Sequence, residues 1–196
     1  MSLSIKTISG KEIEPYLEDL AHLRIGVFRE FPYLYDGSMQ YEEAYLRTYT
    51  ESGDSVAVLV FEKDTLVGAS TGVPMSDESE EFRRPFEQNG YNTNAIFYCA
   101  ESVLKKEYRG RGLYHTFFSE RERHAQKLNQ FKLISFCTVL RPADHPLRPE
   151  NYTPLDTVWR KFGYQERSEL RTEYSWKDVD EDSESVKKMV FWMKRI

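Results

Sequence analysis

The run Tyr108-Arg109-Gly110-Arg111-Gly112-Leu113-Tyr114 gathers the residue types that bind a phosphate. Glycine lets the backbone turn sharply and come close to a ligand. Apolar residues recur at helical spacing from Leu113 to Leu128, so the turn opens a helix. The first N–H groups of a helix have no internal partner, and with the positive end of its dipole they attract an anion. Arg109 and Arg111 can add charge-assisted bonds. Lys105 and Lys106 extend the basic patch to a size suited to a few phosphates. Arg-Gly-Arg-Gly also occurs in segments that bind nucleic acid, so the turn alone leaves the ligand open.

Ala95 to Leu104 is an apolar run that reads as the strand delivering the turn. Within it, Glu101 is a carboxylate among apolar residues. The helix after the turn carries Tyr114, Phe117, Phe118, Arg121, Ala125 and Leu128 on one face, with Arg121 the odd charge. Buried arginines are usually paired, and a pair with Glu101 is the simplest arrangement. His115 and His124 fall toward the polar side of that helix. His145 lies in the proline-stiffened loop from Arg141 to Pro149. A lone histidine is more often a bland residue than a base.

The rest of the chain supplies elements around these residues. Ser4 to Ile8 reads as a first strand. A helical segment starts at Ser9-Gly10, with Ile13, Tyr16, Leu17, Leu20, Leu23, Val27 and Phe28 in one stripe. Phe31-Pro32 ends it, because the residue before proline leaves the helical region. An aromatic loop with Phe31, Tyr33 and Tyr35 follows, then a short helix over Gln40 to Thr48. Ser55 to Phe61 and Leu66 to Thr71 flank a polar turn and read as a hairpin. Pro74 to Gly90 reads as an acidic helical excursion. Phe131 to Leu140 is a strand. Thr153 as N-cap, Pro154 and Asp156 mark a helix that Gly163 closes. Tyr164 to Trp176 and Lys188 to Ile196 are final strands, joined by an acidic loop, Asp178 to Glu184, that reads as solvated.

Bulk properties narrow the function. The 196 residues suit one domain, 1–196, and 40% hydrophobic content excludes disorder. A net charge of -5 argues against a general nucleic-acid binder. No signal peptide and no membrane-length apolar run is present, which places the protein in the cytoplasm. Cys99 and Cys137 read as buried free thiols, and their spacing suits no metal.

The turn resembles motif A of the GNAT superfamily of N-acetyltransferases, whose Gln/Arg-x-x-Gly-x-Gly/Ala pattern holds the pyrophosphate of acetyl-coenzyme A. Arg109 and Gly112 match, while Tyr114 stands where the family usually has Gly or Ala. The order of elements and the ending Trp159-Arg160-Lys161-Phe162-Gly163-Tyr164 also resemble the family. Ala100-Glu101-Ser102-Val103-Leu104, Phe117-Phe118 to His124, and His145-Pro146-Leu147-Arg148-Pro149 through Pro154-Leu155-Asp156 are similar to a narrower set. Some members of that set are fused to carbon–nitrogen hydrolase domains. The resemblance implies an α/β fold, a mixed and mostly antiparallel sheet of about seven strands flanked by helices.

It also implies site residues. Arg109, Gly110, Arg111, Gly112, Leu113 and Tyr114 would hold the pyrophosphate. Val103, Leu104 and Lys105 would lie along the pantetheine arm, with Asn151 on its amide. The N–H of Leu104 would take the developing oxyanion. The family often has a glutamate base six residues before Leu104, where this chain has Tyr98. Glu101 is the alternative base, provided a bulge changes its parity on the strand. Tyr98 anchoring a water is another. The usual leaving-group tyrosine lies four residues before Gly163, where this chain has Trp159, whose indole is no acid near neutral pH. Trp159 then reads as core or pocket wall, and Tyr152 as the substitute acid. Phe31, Tyr33, Tyr35, Tyr98 and Trp159 are expected around the acceptor.

The resulting expectation is a transferase that moves an acetyl group from acetyl-CoA, its only co-substrate, to a small amine or a peptide amino terminus by direct transfer. No metal, nucleic acid or membrane is expected, and a homodimer is allowed. The alternative is a GNAT-like module that binds acyl-CoA without turnover.

Overall fold

The computed structural model describes residues 3–196. Its strands are β1 (Leu3–Ile8), β2 (Val56–Glu62), β3 (Thr65–Pro74), β4 (Ile96–Tyr98), β5 (Ser102–Leu104), β6 (Leu133–Val139), β7 (Gln165–Trp176) and β8 (Ser185–Arg195). Its α-helices are α1 (Leu17–Phe28), α2 (Met39–Glu51), α3 (Glu80–Gln88), α4 (Leu113–Leu128) and α5 (Asp156–Lys161).

The strands form one eight-stranded sheet in the order β1-β2-β3-β4-β6-β8-β7, with β5 also paired to β3. Only β4 and β6 run parallel. The expected single strand over Ala95 to Leu104 is broken into β4 and β5, which turns the expected seven strands into eight. Both halves pair with β3, but the register slips. Val73 faces Tyr98, whereas Ser70 faces Ser102, so one extra residue is inserted between. That is a β-bulge around Ala100-Glu101.

The bulge changes which face each side chain takes. Tyr98 and Val103 both enter the core cluster under α1, α2 and α3, although an unbroken strand would put them on opposite faces. Phe97 and Leu104 join the other cluster, under α4 and α5. Strand β2 is buried on both sides: Ala57 and Leu59 face the first cluster, Val56, Val58 and Val60 the second. Its continuous apolar run follows from that two-sided burial.

Three boundaries differ from expectation. The segment from Gly10 starts as a 3-10 turn, Gly10–Tyr16, and becomes α-helical only from Leu17. Pro15 sits in the 3-10 stretch, where no α-helical bond is lost to it. Helix α5 is capped by Leu155 and starts at Asp156, so Thr153 is not its N-cap. The acidic stretch after β7 is not a solvated loop throughout, because Asp178 is 2% exposed and paired. Cys99 and Cys137 are both free and buried. No helix among the described residues is long and apolar enough to cross a membrane.

Candidate active site

Strands β4 and β6 stay together only briefly. Their ladder runs from Ile96–Leu133 to Tyr98–Ser135, and the Cys99 N–H still donates to the Ser135 carbonyl at 2.7 Å. Beyond that point β5 follows β3, while β6 continues along β8 as far as Val139. The two strands part, and a gap opens between them. On β5, Thr71 donates to the Glu101 carbonyl and Lys105 donates to the Val67 carbonyl. Antiparallel ladders alternate, so the N–H groups of Ser102 and Leu104 point away from β3 and into the gap.

At one end of the gap stands the glycine turn. Gly110 has φ 76° and Gly112 has φ 79°, both in the left-handed region that favours glycine. Gly112 caps α4 with no side-chain capping bond, so the first donors of the helix stay open. A Cβ at either glycine would meet no atom within 4 Å. The backbone of the turn is therefore open to solvent, and its unpaired N–H groups are free to receive an anion.

The side chains of the turn are arranged around this surface. Arg109 is already engaged: its Nε donates to the Leu104 carbonyl at 3.0 Å and its Nη1 to Glu30 at 2.8 Å. It ties the turn to β5 and to the end of α1. Arg111 donates to the Glu107 carbonyl at 2.9 Å and lies over the Tyr108 ring. Tyr114 leans away from the turn. Its hydroxyl accepts a bond from the Trp159 indole N–H at 3.1 Å, and its ring packs edge-on against Phe118. A tyrosine in place of glycine thus leaves the phosphate side of the turn uncovered.

At the other end of the gap is a cavity of about 100 Å³. Ala100 and Glu101 border it from the bulge, Cys137 from β6, and Arg24 from α1. Tyr33, Tyr35 and Tyr98, expected around the acceptor, all line it. Tyr41, Tyr45, Tyr174 and Trp176 complete much of the wall. Burial pushes the phenols of Tyr45, Tyr49 and Tyr98 well above their ordinary range, so they act as neutral hydrogen-bonding groups.

Glu101 sits at the inner end. Its Oε2 accepts from Arg24 Nη1 at 2.6 Å, from Tyr49 at 3.2 Å and from Tyr45 at 3.4 Å. Arg24 also donates through Nε to Glu42 at 2.5 Å. Burial works against the Arg24 charge, but Glu101, Tyr45, Glu42 and Tyr49 together more than offset it, and the guanidinium rises well above its ordinary value. The Oε1 atoms of Glu101 and Glu42 are buried without a hydrogen-bond partner.

The expected Glu101–Arg121 side-chain pair is absent. The bulge turns the Glu101 side chain to the α1 face, while Arg121 reaches the sheet from α4 on the other face. Arg121 instead donates to the backbone carbonyls of Glu101 at 3.1 Å and Thr71 at 3.4 Å, where the bulge exposes them. Arg24 and Glu42 were missed. Arg24 lies four residues from both Leu20 and Phe28, on the apolar stripe of α1, the same signal that singled out Arg121.

Two residues expected around the acceptor do not line this cavity. Trp159 takes the core position, one of its two expected places. It lies on the α4 and α5 face, packed 5.0 Å from Phe136 and 5.1 Å from Trp192. Phe31 does not line the cavity either. It lies against the proline loop, edge-on to Tyr152 at 4.7 Å, with His145 at 5.8 Å. Arg148 covers both the Phe31 and Tyr152 rings, at 5.8 and 4.9 Å. Burial raises the Tyr152 phenol, and Arg148 opposes that shift. Asn151, beside it, is exposed.

The loop that carries Tyr33 and Tyr35 is clamped from below. Arg141 donates to the carbonyls of Pro32 at 2.7 Å and Tyr33 at 2.6 Å, and binds both carboxylate oxygens of Asp178. Lys187 pairs with Asp178 at 3.3 Å and with Glu181 at 2.7 Å. The Asp36 N–H donates to the Lys177 carbonyl at 2.9 Å and the Val179 N–H to the Leu34 carbonyl at 2.7 Å, which joins the loop to the segment after β7.

No protein-family model matches the sequence, and no curated protein is similar to it in sequence. Solved structures are similar in fold. A ribosomal-protein-alanine N-acetyltransferase from Brucella melitensis superposes with a TM-score of 0.62 at 12% identity, over 98% of this chain and 99% of that one. NAA60 of Arabidopsis thaliana, solved with a bisubstrate analogue, gives 0.61 at 12% identity over 98% and 99%. An N-acetyltransferase from Staphylococcus aureus gives 0.62 at 10% identity over 100% and 99%. At such identities the likeness speaks for architecture alone, and the architecture of this chain is the GNAT acetyltransferase fold.

Proposed function

We propose that the protein is a single-domain, cytoplasmic N-acetyltransferase that moves an acetyl group from acetyl-CoA directly to a primary amine. The observation that carries this reading is the parting of β5 from β6, with an open anion-binding turn at one end and an acidic, aromatic cavity at the other. An extended ligand with a phosphate end and a reactive end fits that layout. Acetyl-CoA would supply an activated thioester.

The chain's own residues take these roles. Backbone donors of Gly110, Gly112, Leu113 and Tyr114 receive the pyrophosphate, with Arg111 and Lys105 nearby and Arg109 holding the turn in shape. Val103, Leu104 and Lys105 flank the pantetheine arm, and Asn151 lies within the loop that faces it. The Leu104 N–H points into the gap and donates to the developing oxyanion. Glu101 holds the incoming amine and takes one proton from its ammonium form, which frees the lone pair that forms the C–N bond; the second proton leaves the nitrogen to water as the intermediate collapses. The C–S bond breaks, and the thiolate takes a proton from Tyr152 or from water. Tyr33, Tyr35 and Tyr98 shape the acceptor site.

A second reading has specific support. Glu101 Oε2 is committed to Arg24, and the family's tyrosine position holds Trp159, turned into the opposite core. A module that binds acyl-CoA without transferring the group would tolerate both. The test is a thermal shift with acetyl-CoA, followed by thiol release across an amine panel. We expect stabilisation by acetyl-CoA and thiol release only when an amine is present. Stabilisation with no release from any amine favours the binding module, and no stabilisation at all refutes both.

A further inference from the structure

We infer that the cavity beside Glu101 takes a compact primary amine with a flat aromatic body, bound as its ammonium ion. The inference rests on the acceptor end assigned above and deepens it by naming the substrate class. Size, charge and wall chemistry lead there separately.

Size limits the ligand. The cavity is about 100 Å³. That volume is several times what one water needs, and it suits a compact ligand. The hydroxyls of Tyr41 and Tyr174 are hydrogen-bonded across its outer part at 2.6 Å. A long chain leaving by that route would have to break this bond.

Charge sets the head group. Arg24 brings one positive charge between two buried carboxylates, Glu42 and Glu101. The formal balance is one negative charge, and each carboxylate keeps a buried Oε1 without a partner. Buried charges are costly unless paired. Glu101 borders the cavity, so an ammonium group there would offset the excess negative charge of the cluster. This also places the nitrogen at the bulge, beside the gap that would hold the thioester.

The walls set the body. Nine of the fourteen lining residues are aromatic, and Tyr174 and Trp176 lie on the side away from the gap. Ring faces carry negative potential and favour both a stacked ring and a nearby cation. A peptide amino terminus would extend beyond a cavity of about 100 Å³.

Calorimetry on the full chain without acetyl-CoA tests the inference. The probes are 2-phenylethylamine, its alcohol analogue 2-phenylethanol, 2-cyclohexylethylamine, spermidine and an alanyl tripeptide amide. We expect 2-phenylethylamine to bind best, at least roughly tenfold more tightly than the alcohol that lacks the charge. The cyclohexyl amine should bind a few-fold more weakly. Tyr174→Leu should weaken 2-phenylethylamine about tenfold and leave the acetyl-CoA thermal shift unchanged. Equal binding of the alcohol, tighter binding of spermidine or the tripeptide, or an unaffected Tyr174→Leu protein would overturn the inference. Binding of 2-phenylethylamine without thiol release on adding acetyl-CoA would uphold this cavity and refute acetyl transfer. Thiol release with another amine, and no binding of 2-phenylethylamine, would do the reverse.

Discussion

The two ends of the gap are made of opposite material. The turn from Arg109 to Tyr114 presents open backbone, and its charged side chains lie to the side and are partly solvated. Arg109 is 42% exposed at its side chain. The cavity end presents side chains, drawn from α1, α2, the bulge, β6 and β7, and its central Arg24 is 9% exposed. Backbone recognition tolerates many side chains provided the φ angles survive. A buried charged cluster tolerates almost none, because every member is the neutralising partner of another.

Replacement of the two arginines should break or confirm this contrast most strongly. Arg24→Leu leaves Glu42 and Glu101 without their cation and should cost about 3–5 kcal/mol in denaturant unfolding. Arg109→Leu removes an exposed pair with Glu30 and should cost less than about 1 kcal/mol. Equal losses would mean that the cavity cluster is no more interdependent than the surface.

Glu101→Gln separates the ends by function. Acetyl transfer should fall by roughly 10²–10⁴-fold while the acetyl-CoA thermal shift persists. A wild-type rate would remove Glu101 as the proton acceptor. Its mirror on the turn is Gly112→Pro. Proline fixes φ near −65° and cannot adopt the positive φ of Gly112, and it removes an N–H. Acetyl-CoA binding should weaken by about 1.5–3 kcal/mol, the worth of a charged hydrogen bond, with amine binding intact. Unchanged acetyl-CoA affinity in a folded protein would move the phosphate site elsewhere.

The smallest effect expected is in the pH dependence of stability. Burial raises the Glu78 carboxyl from 4.5 to about 7. A carboxyl that holds its proton more tightly when folded adds stability that is full below its unfolded value and lost as pH rises toward 7. Glu181 runs the other way. Lys187 and Ser185 hold it at about 2, so its contribution is present above the ordinary value and lost as pH falls toward 2. Glu78→Gln should flatten the decline in melting temperature between about pH 5 and about pH 8 and leave the acid limb alone. An unchanged decline would show that Glu78 does not titrate in this window.

The contrast also explains what was legible in the sequence. The turn is contiguous, and its glycines, basic residues and following helix are readable side by side. The cavity is assembled from residues far apart in the chain. Its aromatic members Tyr33 and Tyr35 were readable as a loop rich in rings, and Glu101 as a lone carboxylate in a strand. Its partner was not. Arg121 and Arg24 are equally good candidates by helical spacing, and only the single-residue bulge decides which one the carboxylate meets. Strand patterns alone do not reveal such a bulge, because Cys99 and Ala100 fit either face. The placing of Trp159 and Phe31 was not legible for a related reason: an aromatic residue near a site is compatible with either side of a sheet. Asp178 was hidden by its acidic neighbours, since a charge run gives no sign that one member turns inward.

The clamp formed by Arg141 and Asp178 has a consequence for synthesis of the protein. Chains leave the ribosome from the N-terminus, and early segments can fold while later ones are still being made. The glycine turn and the strands beside it are complete by residue 140. The wall carrying Tyr33 and Tyr35 is made much earlier, and its clamp is complete only when Arg141, Asp178 and Lys187 have all emerged. A nascent chain can therefore present the glycine turn before the loop that walls the cavity is fully clamped. The hairpin of β7 and β8 brings the last of these partners, so the wall of the cavity is set only after residue 187 has been made.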